Sequence, residues 1–285
     1  MKNFTKKPTV LIVLIYILSA YSGWAQKGAY ISVNSGYALS MSTQTFYGNS
    51  KSTDNSYFEE QVYVSLGKGV NFGGAFGYMF NQNIGAELGV SYLISDDVSI
   101  KSIGDYSGSS YTYETTLSAK MIQFKPTLIF SSGLGKLNPY VKLGAVIGKG
   151  KITSVSDSKD SYIYPGEPIE NYTMHQKNEL NGGLSFGLSA ALGINLPLSD
   201  KIGFFLELNM INMAYAPTKG EVTEATENGV NVLPDYPISD KKTEYVDSYS
   251  YNYSNPPKPY NPGKELKQKA PFGSVGTNLG VRFKF

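Results

Sequence analysis

The chain has 285 residues, a formal charge of +2, no cysteine, one histidine, 30 glycines and 23 tyrosines. A balance so close to neutral excludes a strongly basic nucleic-acid surface. The lack of cysteine excludes disulfide staples, a thiolate metal centre and a cysteine nucleophile.

Lys2, Lys6 and Lys7 precede an apolar run from Val10 to Leu18, and Gly23 and Ala25 follow at the small-residue positions a signal peptidase reads. The pattern predicts a cleaved secretory signal over 1–25 and one mature domain over 26–285, since the apolar run is shorter than the roughly 18 to 20 residues that cross a bilayer. Removing the three signal lysines leaves 22 basic against 23 acidic residues. Lipid anchoring through an acylated cysteine is excluded by composition.

From Ala29 onward, stretches with period-2 hydrophobicity predict eight strands. The first, near 27–39, sets Ala29, Ile31, Val33, Tyr37 and Leu39 against Ser32, Asn34 and Gly36. The second, 62–80, sets Val70, Phe72, Phe76, Tyr78 and Phe80 against Asn71, Gly73, Ala75 and Gly77, and 81–83 is a tight turn. The third, 84–95, opposes Ile84, Leu88, Val90, Tyr92 and Ile94 to Gly85, Glu87, Gly89 and Ser91. The fourth, 116–130, contains Pro126, which cannot donate to a ladder and predicts a bulge or local break. The fifth (140–149), sixth (184–196) and seventh (202–214) repeat the alternation, with Lys142, Ser185, Gly187, Glu207 and Asn209 on the polar face.

Short turns near 81–83, 131–138 and 197–200 alternate with long loops near 40–61, 96–115, 150–179 and 216–272. A β-sandwich has shorter strands and does not sort its connections into two length classes by parity. The last strand sets Val275, Thr277, Leu279, Val281, Phe283 and Phe285 against Gly276, Asn278, Gly280, Arg282 and Lys284. No stretch has the period of a long amphipathic helix, and the glycine and tyrosine content with a mean hydropathy of -0.21 suits a barrel with small interior residues and aromatic girdles.

The signal, the parity and the N-x-G-x-x-F-x-F ending formed by Asn278, Gly280, Phe283 and Phe285 resemble small bacterial outer-membrane β-barrel proteins of the OmpA transmembrane-domain and OmpX type. The resemblance covers the mature chain. It implies an all-β fold, an eight-stranded antiparallel up-and-down transmembrane barrel, and residence in the outer membrane of a Gram-negative cell. The surroundings would be outer-membrane lipid and lipopolysaccharide, and the barrel assembly machinery would read the closing strand. The four long connections would then face outward. The last connection is longer than such families usually carry, and no wall-binding domain follows the barrel in this sequence, so a wall-anchoring role does not carry over.

Eight strands enclose an interior just wide enough for side chains, so Glu87, Lys125, Lys142, Glu207 and Arg282 are expected to pair as a polar core that occludes the lumen. His175, with Glu179 four residues on, is a possible base for a barrel-embedded lipid A-modifying enzyme, but no nucleophile can be placed beside it, and a loop histidine is the simpler reading. Asp96 and Asp97 read as a solvated turn rather than a calcium site. Gly67, Gly69, Gly73 and Gly74, and Gly144, Gly148 and Lys149, lack the spacing and following helix of a phosphate loop. No cofactor is expected.

The connection from Pro217 to Pro271 concentrates Tyr245, Tyr249, Tyr251, Tyr253 and Tyr260 among prolines. Tyrosine gives large contact area with little rotamer cost, and proline limits the entropy lost on ordering, so this segment is the candidate surface for a partner protein, glycan or envelope component. Lys264, Lys267 and Lys269 near its end could meet lipopolysaccharide phosphates. The expectation is a non-enzymatic barrel that presents binding loops, with a lipid A-modifying enzyme or a narrow channel as the alternatives.

Overall fold

The computed structural model describes residues 28–41, 44–134, 137–162, 170–250 and 258–285; the expected signal, Tyr251 and Tyr253 lie outside them. In chain order the strands are β1 (Gly28–Ser40), β2 (Gln44–Thr53), β3 (Tyr57–Val64), β4 (Gly69–Met79), β5 (Ile84–Ser95), β6 (Val98–Tyr106), β7 (Ser109–Ser131), β8 (Asn138–Tyr162) and β9 (Glu170–Asn181). They continue with β10 (Ser185–Pro197), β11 (Ile202–Tyr215), β12 (Lys219–Glu227), β13 (Val230–Asn231), β14 (Lys242–Val246), β15 (Gly263–Leu266), β16 (Ala270–Pro271) and β17 (Ser274–Lys284). A 3-10 turn, Leu233–Asp235, and one turn of α-helix, Ile238–Lys241, are the helical elements among the described residues.

β1 pairs on one side with β4 and on the other with β17, and the antiparallel pairs β4–β5, β5–β7, β7–β8, β8–β10, β10–β11 and β11–β17 complete a cycle of eight strands. These are the eight periodic stretches of the sequence. Each is held in register by the alternation that defines it. Along β5, exposed Ile84, Leu88, Val90, Tyr92 and Ile94 alternate with buried Gly85, Glu87, Gly89, Ser91 and Leu93. The apolar set faces outward around the whole ring, with Phe76, Leu143, Leu192 and Phe204 all about half exposed or more. A continuous apolar belt of this kind is stable in hydrocarbon and costly in water.

The expectation for the second strand needs correction. The second strand does not run unbroken over 62–80. Val62, Val64 and Leu66 continue the phase of Val70 and Phe72, which is why the pattern fuses them, but the chain leaves β3 at Val64 and Ser65–Lys68 turns inward. Gly69, at φ +143°, makes the turn back into β4; a Cβ there would lie 2.2 Å from the Ile94 carbonyl oxygen. At Pro126 the expected disturbance is a local break and not a bulge: the β7–β8 ladder skips Lys125 and Pro126 and resumes in the same register, while Pro126 keeps its place opposite Leu88 on β5.

The larger correction concerns the four long connections, which fold as sheet rather than loop. β7 and β8 have 23 and 25 residues, about 75 to 85 Å of strand, where 9 to 11 residues suffice to cross a bilayer. Their far halves form the centre of a second sheet in the order β3–β2–β6–β7–β8–β9–β12–β14–β15, antiparallel except for β2–β6 and β14–β15.

Where ring and extension meet, Val64, Leu66, Met121, Val146, Met213, Tyr215 and Phe272 converge in an apolar core. The Tyr215 ring stands edge-on to Phe272, centroids 6.0 Å apart, and its hydroxyl donates to the carbonyl oxygens of Gly150 and Gly182, each at 2.7 Å. The Leu66 N–H donates to the Pro271 carbonyl at 2.9 Å and the Ser65 hydroxyl to that of Gly273 at 2.8 Å, which ties two inward-folded segments together as a cap.

Candidate functional site: a closed lumen beneath an aromatic sheet

Glu87 on β5, Lys142 on β8 and Glu207 on β11 reach the same point of the lumen from three strands because each sits on the inward phase of its strand. Lys142 Nζ lies 2.7 Å from Glu87 Oε1 and 2.6 Å from Glu207 Oε1, and all three residues are more than nine-tenths buried. Tyr30 donates its hydroxyl to Glu87 Oε2 at 2.6 Å, and Tyr140 donates to Glu207 Oε1 at 2.8 Å. Paired and hydrogen-bonded in this way, the two carboxylates and the ammonium recover much of what desolvation costs them.

Of the five expected interior charges, the structure brings these three into direct contact and places the other two nearby. Lys125 lines a cavity of about 50 Å³ beside Glu87, Lys142 and Glu207, room for a water or two and not for a solute. Arg282 stacks on aromatic faces, its guanidinium carbon 4.3 Å from the Tyr30 ring centroid and 5.2 Å from that of Tyr140. Arg282 is the only arginine in a chain with 24 lysines. A planar, weakly hydrated guanidinium stacks where an ammonium does not.

The lumen residues that sequence reasoning missed are Tyr30, Tyr140 and Phe205. Each lies on the polar phase of its strand, opposite a glycine: Tyr30 faces Gly77, Tyr140 faces Gly193 and Phe205 faces Gly280. A Cβ on those glycines would fall 2.2, 2.4 and 2.3 Å from the respective ring. The missing side chain is the space the ring occupies.

The expected assembly-signal residues divide by face. Asn278 is buried beside Glu207 in register and Gly280 lies under Phe205, whereas Phe283 and Phe285 are exposed on the outside.

The extension carries the exposed aromatics. β3 is the outermost strand at one edge, and Tyr57, Phe58 and Tyr63 on it are each more than 60 % exposed. Among the expected binding tyrosines, Tyr249 and Tyr260 are exposed, while Tyr245 lies half-buried on β14 against Gly220. Lys264 and Lys269 are exposed, and Lys267 pairs with Asp247 at 3.0 Å.

His175 is a mid-strand residue of β9, not a loop residue. Its Nδ1 meets Asp157 Oδ1 at 2.8 Å and its Nε2 faces Glu224 Oε2 at 3.7 Å. Glu179, about 13 Å further along the strand, pairs with Lys151 instead. Lys177 lies 2.6 Å from Glu224 and holds its carboxyl below the ordinary range. Asp96 accepts from Tyr37 and pairs with Lys68 at 3.3 Å, so it is a structural turn acid, and no three metal-ligating side chains cluster among the described residues.

Residues 9–233 match the family model described as outer membrane protein beta-barrel domain. Among solved structures, the chain is similar to the outer membrane protein OprG from Pseudomonas aeruginosa (12 % identity over 90 % of this chain and 96 % of that one, TM-score 0.41). It is also similar to Neisserial surface protein A (9 %, 92 % and 100 %, TM-score 0.34) and to Acinetobacter baumannii CarO (14 %, 90 % and 97 %, TM-score 0.30). No curated protein matches the chain.

Proposed function

The chain belongs to the outer membrane β-barrel family and so to the outer membrane, and we propose that within this family it is a non-enzymatic, non-conducting barrel that recognises a surface partner through its outer sheet. On this reading the cycle of eight strands is the membrane barrel, the short turns face the periplasm, and the β7–β8 extension stands outside the cell. The observation that carries it is the pairing of a lumen filled at two levels with an extension whose edge strand exposes aromatic side chains. The apolar cap and the Glu87–Lys142–Glu207 cluster obstruct passage, which argues against a channel.

The partner class that fits the exposed Tyr57, Phe58 and Tyr63, with Tyr249 and Tyr260, is a protein or glycan that offers apolar faces and hydrogen bonds to tyrosine. Cross-linking in native outer membranes followed by affinity purification tests it. The intact protein is expected to retain a stoichiometric partner that the triple substitution Tyr57→Ser, Phe58→Ser, Tyr63→Ser loses. Identical recovery from both would refute β3 as the docking element.

What supports a structural rather than catalytic His175 is that both imidazole nitrogens face carboxylates and, among the described residues, no serine or threonine hydroxyl bonds to it. His175→Ala is therefore expected to leave lipid A unchanged by mass spectrometry. A changed acylation pattern would restore the enzymatic alternative.

A further inference from the structure

Beyond the cap, the register of the outer sheet sets one row of residues side by side across six strands: Tyr57 on β3, Ser52 on β2, Gly104 on β6, Tyr111 on β7, Asp160 on β8 and Tyr172 on β9. Ladder partners share a face, and on β7 and β8 this face has the phase of Met121 and Val146 in the apolar core. Tyr113, Tyr106 and Tyr162 stand in the neighbouring rows of the same face. Gly104 leaves the space for the Tyr111 ring, which stacks on Tyr106 with centroids 6.4 Å apart, while Tyr57, Tyr113 and Tyr162 are 43 % exposed or more. Charge is sorted between the two faces. Lys51, Lys101, Lys159, Lys177 and Lys264 occupy the other phase of their strands, as do the remaining lysines of the outer sheet. There the acids are matched: Glu114, Glu179, Glu221 and Glu224 each pair with a lysine, and Asp157 pairs with His175. Among the described residues the tyrosine face has no lysine or arginine, and its carboxylates, Glu59, Asp160, Glu170, Glu227 and Glu265, enter no ion pair.

We propose that this tyrosine face docks a cationic polypeptide segment, whose lysine or arginine side chains lie over the rings with their charges toward the unpaired carboxylates. The face of a tyrosine ring is negative and attracts an ammonium or guanidinium, and carboxylates spread over the same face extend that attraction across the sheet. With no cation among them, the same groups repel lipopolysaccharide phosphate, nucleic acid and acidic glycans. The inference rests on the reading that the outer sheet recognises a partner, and it adds which face does so and what charge it meets.

Fluorescent decalysine, titrated into the folded full-length protein in neutral detergent and freed of lipopolysaccharide, is expected to bind saturably at low salt and more weakly as salt screens the exposed charges. Labelled decaglutamate and maltoheptaose are expected not to bind in the same assay. Two triple variants, each first shown to be folded by its change of mobility on boiling, remove equal charge from the two faces. Asp160→Asn, Glu170→Gln, Glu227→Gln on the tyrosine face is expected to weaken decalysine binding about tenfold, whereas Glu114→Gln, Glu179→Gln, Glu221→Gln on the other face changes it by less than about twofold. Tyr111→Ser with Tyr172→Ser keeps every carboxylate and is expected to weaken it about fivefold. No saturable binding of decalysine, equal loss in the two triple variants, unchanged affinity without the two tyrosines, or binding of maltoheptaose in place of decalysine would overturn the proposal. A partner that cross-links to the intact protein in native membranes and is not displaced by decalysine would overturn the cationic assignment alone and leave the outer sheet as a docking surface.

Discussion

Lys142 is held between two buried carboxylates, so its loss leaves two negative charges in a narrow lumen. Lys142→Met is expected to destabilise the barrel by about 3 to 5 kcal/mol, measured by urea unfolding from lipid vesicles, and adding Glu87→Gln and Glu207→Gln to it should recover much of the loss. The aromatic–glycine pairs give a sharper test of packing. Gly193→Val drives a side chain into the Tyr140 ring, at a cost of about 1 to 3 kcal/mol, and Tyr140→Ala in the same chain should remove most of the extra penalty in a double-mutant cycle. The five interior charges were legible in the sequence because charge on the polar phase of an otherwise apolar strand stands out. Tyr30, Tyr140 and Phe205 were not, because an uncharged aromatic does not stand out on that phase and the glycine that makes room for each ring lies on a neighbouring strand.

The strands of the ring could be read because one face meets hydrocarbon, which forces strict alternation. The strands of the extension could not, because water bathes much of both faces and removes the hydrophobic period. β12 (KGEVTEATE) and the first half of β7 (SSYTYETT) retain only threonine, tyrosine and valine as a sign of strand. One signal was present: Asn228–Gly229, at φ 48° and 80°, is a two-residue hairpin turn between β12 and β13. Ser107–Gly108 also joins β6 to β7 in two residues, without a positive φ. The β9–β12 pair should also respond to pH. Lys177 depresses the Glu224 carboxyl below its ordinary value of 4.5, so the stabilising contribution is complete above that value and is lost as pH falls through the lowered one. Hydrogen exchange is expected to quicken in β9 and β12 on acidification, after correction for intrinsic rates, while the ring amides keep their protection. In the cap, Tyr215→Phe removes a donor shared by two carbonyls and should cost about 1 to 3 kcal/mol in the same urea assay.

At the scale of the molecule, a cycle of pairings with no open edge should resist detergent, so the folded protein is expected to change mobility on boiling. Identical migration before and after would contradict the eight-strand barrel. The filled lumen carries its own expectation: planar-bilayer recordings should show no reproducible unitary steps.

The account stands most directly on which end faces out, and a chain without cysteine makes that measurable at single sites. Ser56→Cys in the β2–β3 turn, Asn228→Cys in the β12–β13 turn and Asp200→Cys in the short β10–β11 turn would each be expressed in intact cells and treated with a membrane-impermeant maleimide. Labelling is predicted at 56 and 228 in intact cells, and at 200 only after the outer membrane is permeabilised. Labelling at 200 in intact cells, with none at 56 and 228, would reverse the topology and remove the outer sheet as a surface for recognition.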